Sequence, residues 1–323
     1  MNRQYHWGII GAGNIAHRFA KSLQNSSHGK LYAIASHTES KRNEFKKLYP
    51  QIITYYQYDD LLNDSEVDIV YIATWHNEHY QWAKKALLAH KAVLCEKPAT
   101  LSLVQMKELA NIAKQEKVFF MEAMKTRMIP AILELKNLLN QGVIGDIKKV
   151  ENRFCYNISQ AKNTRYLFDE EQGGILRDVG SYTILSLLDY IHAPVKSIQC
   201  QSEFQDKVDI HDRIEITFES GQLGYMEIAM NEKKSALMTI FGTKGQITCT
   251  PFYRPTKLTI HTNDGNIQNI YKEYIYDDFF TEIEEVHICL GQNLYESSKM
   301  SLEDSIRGIQ LLEQIKEVMN NEI

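Results

Sequence analysis

The sequence predicts an α/β protein with two parts: an N-terminal doubly wound parallel sheet and a C-terminal α+β part with an open, mostly antiparallel sheet. Three observations support this prediction. Apolar strands alternate with helical patterns early in the chain, a glycine-rich turn joins the first strand to the first helix, and strands linked by hairpin turns dominate the remainder.

The N-terminal pattern indicates a parallel sheet covered by helices on both faces. Strands are predicted at YHWGII, KLYAIAS, VDIVYIAT, KAVLCEK and KVFFME. Helices are predicted at NIAHRFAKSL, ESKRNEFKKLY, EHYQWAKKALLAH and LVQMKELANIAKQE. Strands that are nearly continuous runs of Val, Ile and Ala are typical of a sheet buried on both faces. We therefore assign residues 1–121 to the first domain.

Residues 122–323 form the predicted second domain, where β-branched and aromatic runs replace the alternating pattern. Strands are predicted at IKKVENRFCYNI, VKSIQCQSEF, RIEITFESGQLGYMEIAM, ALMTIFGTKGQITCT and KLTIHTNDGNIQNIY, with hairpin turns at ESGQ, GTKGQ and NDGN. The helix PAILELKNLLNQG precedes them and SYTILSLLDYI interrupts them, with a start expected near Val179. Two helices close the chain, DFFTEIEEVHICLGQ and SLEDSIRGIQLLEQIKEVM.

Composition narrows the classes of function. The 323 residues carry a net charge of −5, so no basic footprint points to nucleic acid. The longest apolar run, Val67–Trp75, is too short to span a bilayer, and the start MNRQYHWGII has no signal-peptide core, so we expect a cytoplasmic protein. The cysteines are odd in number and lack a CxxC pair, which predicts free thiols and no metal site. They are Cys95, Cys155, Cys200, Cys249 and Cys289.

The opening turn has the spacing of a dinucleotide-binding loop. Gly11, Gly13 and Ala16 give G-x-G-x-x-A directly between a strand and a helix. Gly11 permits the tight turn, Gly13 lets the backbone approach a pyrophosphate, and Ala16 allows close packing of helix on strand. Asn14 and Ile15 begin the helix, whose N–H groups face the phosphates. The motif alone leaves a ligand-free glycine turn open, but its setting favours a Rossmann domain.

The end of the second strand bears on the choice of nicotinamide cofactor. NAD sites usually place a carboxylate here for the ribose 2′-hydroxyl. This strand ends at Ser36 and His37, with Lys41 and Arg42 in the following helix. A hydroxyl plus cations suits a 2′-phosphate, which favours NADP, whereas the nearby Glu39 keeps NAD open.

Two further segments carry candidate chemistry. Glu96 and Lys97 of CEKP end a strand at the carboxyl edge of the sheet, where open α/β sheets bind ligands. In the second domain, GGILRDVGSYTILSLLDY contains Asp178 and, one helical turn later, Tyr182. Asp178 is alternatively the N-cap of that helix, and Tyr182 alternatively a half-buried packing residue.

These motifs together resemble the family named for glucose–fructose oxidoreductase and myo-inositol dehydrogenase. The shared segments are GIIGAGNIA, ATWHNEH, KAVLCEKP, MEAMKTRMIPA, GVIGDI, GGILRDVGSYTI and FGTKGQI. They cover almost the whole chain in the expected order. Within the family, the chain is most similar to dimeric dihydrodiol dehydrogenases and related sugar dehydrogenases.

The resemblance implies a catalytic set of Lys97, Asp178 and Tyr182. Many members have histidine at the position of Tyr182, and tyrosine is the feature of the dihydrodiol-type group. A further family aspartate is replaced by Leu185, which argues against an inositol dehydrogenase. A free tyrosine has a pKa near ~10, too high for a good base at neutral pH. We expect the Lys97 ammonium and the oxidised nicotinamide ring to favour the phenolate.

The resemblance also extends the predicted site. Thr74, His76 and His79 match a family loop beside the cofactor ribose and nicotinamide. No third ligand accompanies the two histidines, so zinc is not expected. Arg127 is a candidate substrate or cofactor contact, with a structural salt bridge as the alternative, and Arg165 is a weaker pocket candidate.

The sequence therefore predicts an NADP-dependent dehydrogenase or reductase, with NAD possible. It would act on a carbinol or carbonyl of a sugar, a sugar derivative or a cyclic diol, and the resemblance implies a homodimer or homotetramer formed through the C-terminal sheet. Two alternatives stay open: an NAD-dependent polyol or inositol dehydrogenase, and a nucleotide-binding regulatory protein without turnover.

Overall fold

The computed structural model describes residues 4–158 and 165–321 and divides into two compact units. The first unit combines Met1–Met128 with Ile275–Ile306, and the second combines Ile129–Tyr274 with Arg307–Ile323. The first boundary of this division lies after Met128, a few residues beyond the position expected from the sequence, and the segment Ile275–Ile306 returns to the first unit.

The first unit contains a six-stranded sheet in the order β3-β2-β1-β4-β5-β6, and its pairings are parallel, which confirms the predicted parallel sheet. The strand order reverses between β1 and β4, which is where doubly wound sheets bind their ligands. The strands are β1 (Tyr5–Ile10), β2 (Gly29–Ala35), β3 (Ile53–Tyr55), β4 (Ile69–Ile72), β5 (Ala92–Cys95) and β6 (Phe120–Glu122).

Five helices connect these strands, and four of them match the predicted ones. They are α1 (Asn14–Leu23), α2 (Glu39–Leu48), α3 (Tyr58–Asn63), α4 (His76–Leu88) and α5 (Leu103–Glu116). The sequence patterns do not reveal β3 and α3. The strand has three residues, two of them exposed, and the helix has six, so neither is long enough to show a hydrophobic period.

The second unit contains an eight-stranded sheet in the order β14-β13-β12-β11-β7-β10-β9-β8. Only the pairing of β7 with β10 is parallel among its described strands, which confirms the predicted, mostly antiparallel sheet. The strands are β7 (Ile147–Cys155), β8 (Val195–Gln205), β9 (Val208–Phe218), β10 (Leu223–Ala229), β11 (Leu237–Gly242), β12 (Gly245–Cys249), β13 (Lys257–Thr262) and β14 (Ile267–Tyr271).

Two helices of the second unit follow the predicted segments, α6 (Pro130–Asn140) and α7 (Ile175–Leu188). Helix α7 packs across β7, β9 and β10, and most of its residues are buried. The hairpin turns fall where they are predicted: Gly221 and Gly265 have φ of +79° and +87°, a region that glycine adopts without steric cost.

Helix α8 (Phe280–Gly291) anchors the returning segment to the first unit. The indole Nε1 of Trp7 donates to Nε2 of His287 at 2.9 Å. Arg18 of α1 forms an ion pair with Asp278 at 2.8 Å. These polar ties and the buried face of α8 explain why the segment belongs with the parallel sheet. The last helix is α9 (Leu302–Asn321).

All five cysteines are free and buried. Burial raises the pKa of the Cys249 thiol to about 12 and that of Cys155 to about 11. Among the described helices, none combines the length and the apolar character needed to cross a membrane.

Candidate active site

The turn after β1 explains the first glycine of the motif. Gly11 has a φ of +96°, and a Cβ atom built on it would lie 2.5 Å from the carbonyl oxygen of Ala73. Both the backbone conformation and this close approach of the β4 end require glycine. The role of Gly11 is therefore to shape the turn.

Gly13 has a different explanation. It is the N-cap of α1 with an extended backbone (φ −89°), and a Cβ atom there would meet no heavy atom within 4 Å. Contacts within the protein therefore do not require glycine at this position. A bound pyrophosphate would require it, because the missing side chain leaves room at the helix N-terminus, beside the N–H groups of Asn14 and Ile15. Ala16 is fully buried against the sheet, as the motif predicts. The loop fits a dinucleotide.

The end of β2 presents a cluster of cationic and aromatic groups. Ser36 is buried, and its carbonyl oxygen accepts a hydrogen bond from Nη1 of Arg42. The Arg42 guanidinium also lies 5.3 Å from the ring centre of Tyr56. His37 and Lys41 are exposed. Arg42, which the sequence analysis placed beside Lys41, is thus the cation that the structure fixes at this strand end.

The loop after β4 carries the three polar residues matched to the family. Thr74 and His76 are half-buried, whereas His79 is buried. Nδ1 of His79 lies 2.8 Å from the carbonyl oxygen of Pro98, and Nε2 lies 3.2 Å from that of Thr74. Burial lowers the pKa of His79, so the ring is neutral and carries one N–H, which the shorter distance assigns to Nδ1. Its ring nitrogens therefore face protein carbonyls.

The end of β5 holds Glu96 and Lys97. The buried Glu96 carboxylate accepts hydrogen bonds from the Tyr71 hydroxyl at 2.5 Å and from the Lys97 backbone N–H at 3.3 Å. Lys97 itself is half-buried. Its charge acts on two buried neighbours, His79 and Glu122, and burial raises the pKa of the latter. The carboxyl edge of the sheet thus gathers the glycine loop, the β4 loop and this lysine.

Arg127 lies in a short 3-10 helix, Lys125–Met128, and is buried. Its Nη1 atom forms an ion pair with Asp304 at 2.9 Å and approaches the carbonyl oxygen of Lys299 at 3.3 Å. The structure therefore shows the salt bridge that the sequence left as an alternative. A substrate contact by Arg127 stays a prediction.

The start of α7 corrects one expectation. The helix begins at Ile175, four residues before Val179, and its N-cap is Gly174 with a φ of +92°. Asp178 consequently lies in the first turn and is not the N-cap. The cap comes from β9: Oδ2 of Asp209 accepts the Leu176 N–H at 2.6 Å.

The paired glycines before α7 are required by the fold of the second unit. A Cβ atom on Gly174 would lie 2.2 Å from Oδ1 of Asp209, and one on Gly173 would lie 2.4 Å from the carbonyl oxygen of Leu167. Asn152 of β7 adds a further anchor, since its Nδ2 donates to the carbonyl oxygen of Thr183 at 2.9 Å. Helix α7 is therefore held in register by polar contacts as well as packing.

Asp178 and Tyr182 lie four residues apart on α7, among aromatic side chains. The Tyr156 hydroxyl donates to Oδ2 of Asp178. Tyr182 is buried, with ring centres of Phe154 and Tyr253 each 6.1 Å from its own. Phe154 and Tyr253 stack at 4.5 Å with nearly parallel planes. An aromatic wall of Phe154, Tyr182 and Tyr253 therefore stands beside the carboxylate.

Sequence reasoning missed several residues of these two clusters. Tyr71, Tyr156 and Tyr253 follow no motif, and each meets its partner only through the fold. Arg165 begins a short 3-10 helix, Arg165–Phe168, but its side chain lies outside the described residues.

Two groups of histidines and carboxylates in the described chain have the spacing of metal ligands, and internal contacts account for both. The first group consists of His28, Glu284 and His287. Nε2 of His287 accepts the Trp7 N–H, so the imidazole proton of His287 is on Nδ1, which lies 3.2 Å from Glu284. A metal there would displace that proton onto Nε2, against the indole N–H. The second group consists of His211, Glu227 and Glu232. Here the Glu227 carboxylate already forms an ion pair with Lys234 at 2.8 Å.

Two family models match most of the chain. The model described as an oxidoreductase family with an NAD-binding Rossmann fold matches residues 5–124, and the model described as the GFO/IDH/MocA C-terminal domain matches residues 132–248.

Curated relatives and solved structures extend along the whole chain. Trans-1,2-dihydrobenzene-1,2-diol dehydrogenase from Mus musculus is 28% identical, covering 97% of this chain and 96% of the relative; the Bos taurus protein is 29% identical with the same coverage. A 3-ketoreductase from Actinomadura kijaniata, solved with NADP and TDP-benzene, has a TM-score of 0.87 at 22% identity and 98% coverage of both chains. An aldose-aldose oxidoreductase from Caulobacter crescentus has a TM-score of 0.89 at 18% identity and 99% coverage of both. These two likenesses show the fold.

Proposed function

The chain belongs to the Gfo/Idh/MocA oxidoreductase family, and on that premise we propose an NADP-dependent dehydrogenase or reductase. It moves a hydride between the nicotinamide and a carbinol or carbonyl carbon of a sugar, a sugar derivative or a cyclic diol. The observation that carries this proposal is the carboxyl edge of the parallel sheet, where the open space at Gly13 and the half-buried Lys97 belong to one unit.

NADP is the cofactor that the residues favour. Gly11, Gly13 and the start of α1 would hold the pyrophosphate, and Ser36, His37, Lys41 and the fixed Arg42 would hold the adenosine 2′-phosphate. Thr74, His76 and Glu96 would border the nicotinamide half. The bound nicotinamide supplies the hydride acceptor or donor. The NADP complexes of the Actinomadura ketoreductase support this choice, while the exposed Glu39 keeps NAD as the alternative.

Proton transfer is assigned to Tyr182, with Lys97 and Asp178 as its supports. As the hydride leaves the carbinol carbon, the phenolate oxygen of Tyr182 accepts the hydroxyl proton, and the Lys97 ammonium stabilises the charge that develops on the substrate oxygen. Asp178 orients Lys97 or a substrate hydroxyl. In the reductive direction, the phenol returns the proton to the carbonyl oxygen.

The aromatic wall favours a ring-shaped substrate. Phe154 and Tyr253 stack on each other and are both half-buried, so the part of this pair that stays accessible offers apolar area near Tyr182, which suits the carbon face of a cyclic diol or a pyranose, while Asp178 suits its hydroxyl groups. The curated relatives are named for oxidation of a cyclic diol, which supports the same class. An open-chain polyol would use this apolar surface less, whereas inositol, the ring-shaped substrate of the alternative dehydrogenase, would use it in the same way.

The deciding experiment is a screen of cyclic diols, sugars and polyols with each nicotinamide, followed by absorbance of the reduced cofactor. With the best substrate, Tyr182→Phe should lower turnover by about 10²- to 10⁴-fold and leave NADP binding unchanged. The control is Tyr49→Phe, a half-buried tyrosine at the end of α2. Undiminished turnover in Tyr182→Phe would reject the assigned role. Absence of turnover with every class, despite NADP binding, would favour the regulatory alternative.

Self-association through the second sheet is a further part of the proposal. On this sheet the buried Glu227 bonds Lys234 at 2.8 Å and lies 3.4 Å from the partly exposed Arg213, so Arg213 is the charged group of this cluster that a second copy would contact. Light scattering should give a dimer or tetramer, and Arg213→Glu should shift it towards monomer. A monomeric wild type would contradict this.

Free thiols suit a reducing compartment, and we propose the cytoplasm as the location. Fractionation of cells that produce the tagged protein checks this assignment. Recovery of the protein from an oxidising compartment would contradict it.

A further inference from the structure

A phenol that no motif identifies is bonded directly to a candidate catalytic carboxylate. Tyr156 follows β7, and its hydroxyl donates to Oδ2 of Asp178 in the first turn of α7. The backbone N–H of Tyr156 donates to the carbonyl oxygen of Ala229 at 2.9 Å, which fixes the residue to the end of β10. The contact therefore links the second sheet to Asp178, the carboxylate of the predicted catalytic set Lys97, Asp178 and Tyr182.

The surroundings determine which way the proton lies. Burial, and then the negative charge of Asp178, raises the pKa of Tyr156 far above that of a free tyrosine. The same two causes raise the pKa of Tyr166, a second phenol near Asp178. Tyr156 is therefore protonated at neutral pH and acts as a hydrogen-bond donor to Asp178, and we do not assign it the role of base.

An aspartate carboxylate can accept several hydrogen bonds at once. An ionised Asp has about four acceptor positions, so the bond from Tyr156 is compatible with bonds from other groups to the same carboxylate. Residues four apart on a helix lie on one face, which puts Asp178 and Tyr182 side by side. An error of about 1 Å in such a group can cost roughly 100-fold in rate.

We infer that Tyr156 is a positioning residue, whose phenol holds the Asp178 carboxylate in the orientation needed to align substrate for proton transfer at Tyr182. The inference rests on the proposed function, since it assigns Tyr156 a role in that reaction. It adds a residue that neither the glycine, lysine and aspartate motifs nor their spacing indicate.

The direct test is Tyr156→Phe, which keeps the ring that packs 6.2 Å from Phe154 and removes only the donor. We expect kcat/KM to fall about 10- to 100-fold, the worth of one hydrogen bond to a charged group, with the dissociation constant for NADP unchanged. We expect kcat to carry most of this loss and KM for the substrate to change little, because the bond orients a group for the chemical step. A purely structural role would lower the melting temperature and leave kcat of the folded enzyme unchanged.

A double-mutant cycle shows whether Tyr156 acts through Asp178. Added to Asp178→Asn, Tyr156→Phe should cost little further activity, and its effect on the melting temperature should also be non-additive. The matched control is Tyr80→Phe, which removes a similar phenol-to-carboxylate bond, to Glu108, between α4 and α5 and should leave kcat and KM unchanged.

The outcomes separate this inference from the proposed function. Wild-type turnover together with a Tyr156→Phe enzyme of unchanged kcat and kcat/KM would overturn the inference alone. Independent, additive losses in the cycle would also overturn it. If the wild type turns over no substrate, the proposed function fails and the positioning role fails with it, whatever the melting temperatures show about the contact.

Discussion

The imidazole of His79 lies 2.8 Å from the carbonyl oxygen of Pro98, the residue that follows Lys97. The other ring nitrogen lies 3.2 Å from the carbonyl oxygen of Thr74, in the loop after β4. One buried ring thus ties the loops after two neighbouring strands, and Lys97 lies in one of them. His79 therefore holds the loop that contains Lys97, and both of its ring nitrogens face backbone carbonyl oxygens.

His79→Phe tests this support. The phenyl ring fills a similar volume but leaves the Pro98 carbonyl without its donor, so we expect a loss of about 1–3 kcal/mol in the free energy of unfolding. We also expect kcat to fall at least about tenfold, because the lysine loop loses its tie. Urea unfolding and steady-state kinetics measure the two effects, with His192→Phe, an exposed residue, as the control. An unchanged kcat in a destabilised variant would limit His79 to folding.

Gly11→Ala and Gly13→Ala form a matched pair. The first places a Cβ atom 2.5 Å from a carbonyl oxygen at a φ of +96°, so we expect destabilisation by roughly 1–3 kcal/mol. The second meets no protein atom, so we expect a free energy of unfolding within about 1 kcal/mol of wild type. NADP affinity should nevertheless fall at least about tenfold in Gly13→Ala, measured by calorimetry. Normal affinity there would contradict a pyrophosphate at this loop.

Arg42→Ala and Lys41→Ala test the cofactor preference. If these cations hold a 2′-phosphate, each variant should weaken NADP binding about tenfold and leave NAD binding nearly unchanged, since NAD lacks that group. The Arg42 effect should be larger, because its guanidinium is already fixed by Ser36 and Tyr56. Equal losses for both cofactors would point to a general effect on the end of β2.

Asp212 predicts how stability depends on pH. It is fully buried on β9, and burial, then the charge of Asp209, raises its pKa from 3.8 to about 9. Between these values the folded chain keeps a proton that the unfolded chain releases, so this group's contribution is complete below about pH 4 and is lost as pH rises towards 9.

Asp212→Asn removes that dependence, because an amide has no proton to lose. We expect a flatter slope of unfolding free energy between pH 5 and 8, by at most about 1.4 kcal/mol per pH unit, and a more stable protein at pH 8. Urea unfolding at several pH values gives the slope, and the exposed Asp206→Asn serves as the control. A slope equal to that of wild type would contradict the assignment.

Local patterns predict the elements whose signals lie within a few residues. The strand–turn–helix around Gly11 and the three predicted hairpins of the second sheet are set by nearby glycines and by alternating apolar residues, and they occur where predicted. The start of α7 does not follow this rule. The sequence places this start near Val179, whereas the helix begins at Ile175 and its cap, Asp209, lies 33 residues beyond Leu176 in sequence.

The candidate site shows the same division. Motifs identify Lys97, Asp178 and Tyr182, because family resemblance preserves their spacing. Tyr156 is 22 residues from Asp178 in sequence, and Arg127 is still further from its partner Asp304. Local sequence patterns therefore do not predict either pairing. Long-range partners of this kind become visible only once the strands are placed.

The burial of every cysteine gives the protein a built-in reporter of its own opening. A thiol that is shielded and hard to ionise reacts with alkylating reagents only while its surroundings are transiently exposed. Cys95 and Cys289 belong to the first unit, and Cys155, Cys200 and Cys249 to the second. Labelling rates at individual cysteines, read by mass spectrometry, therefore give a separate opening free energy for each unit without any engineered probe.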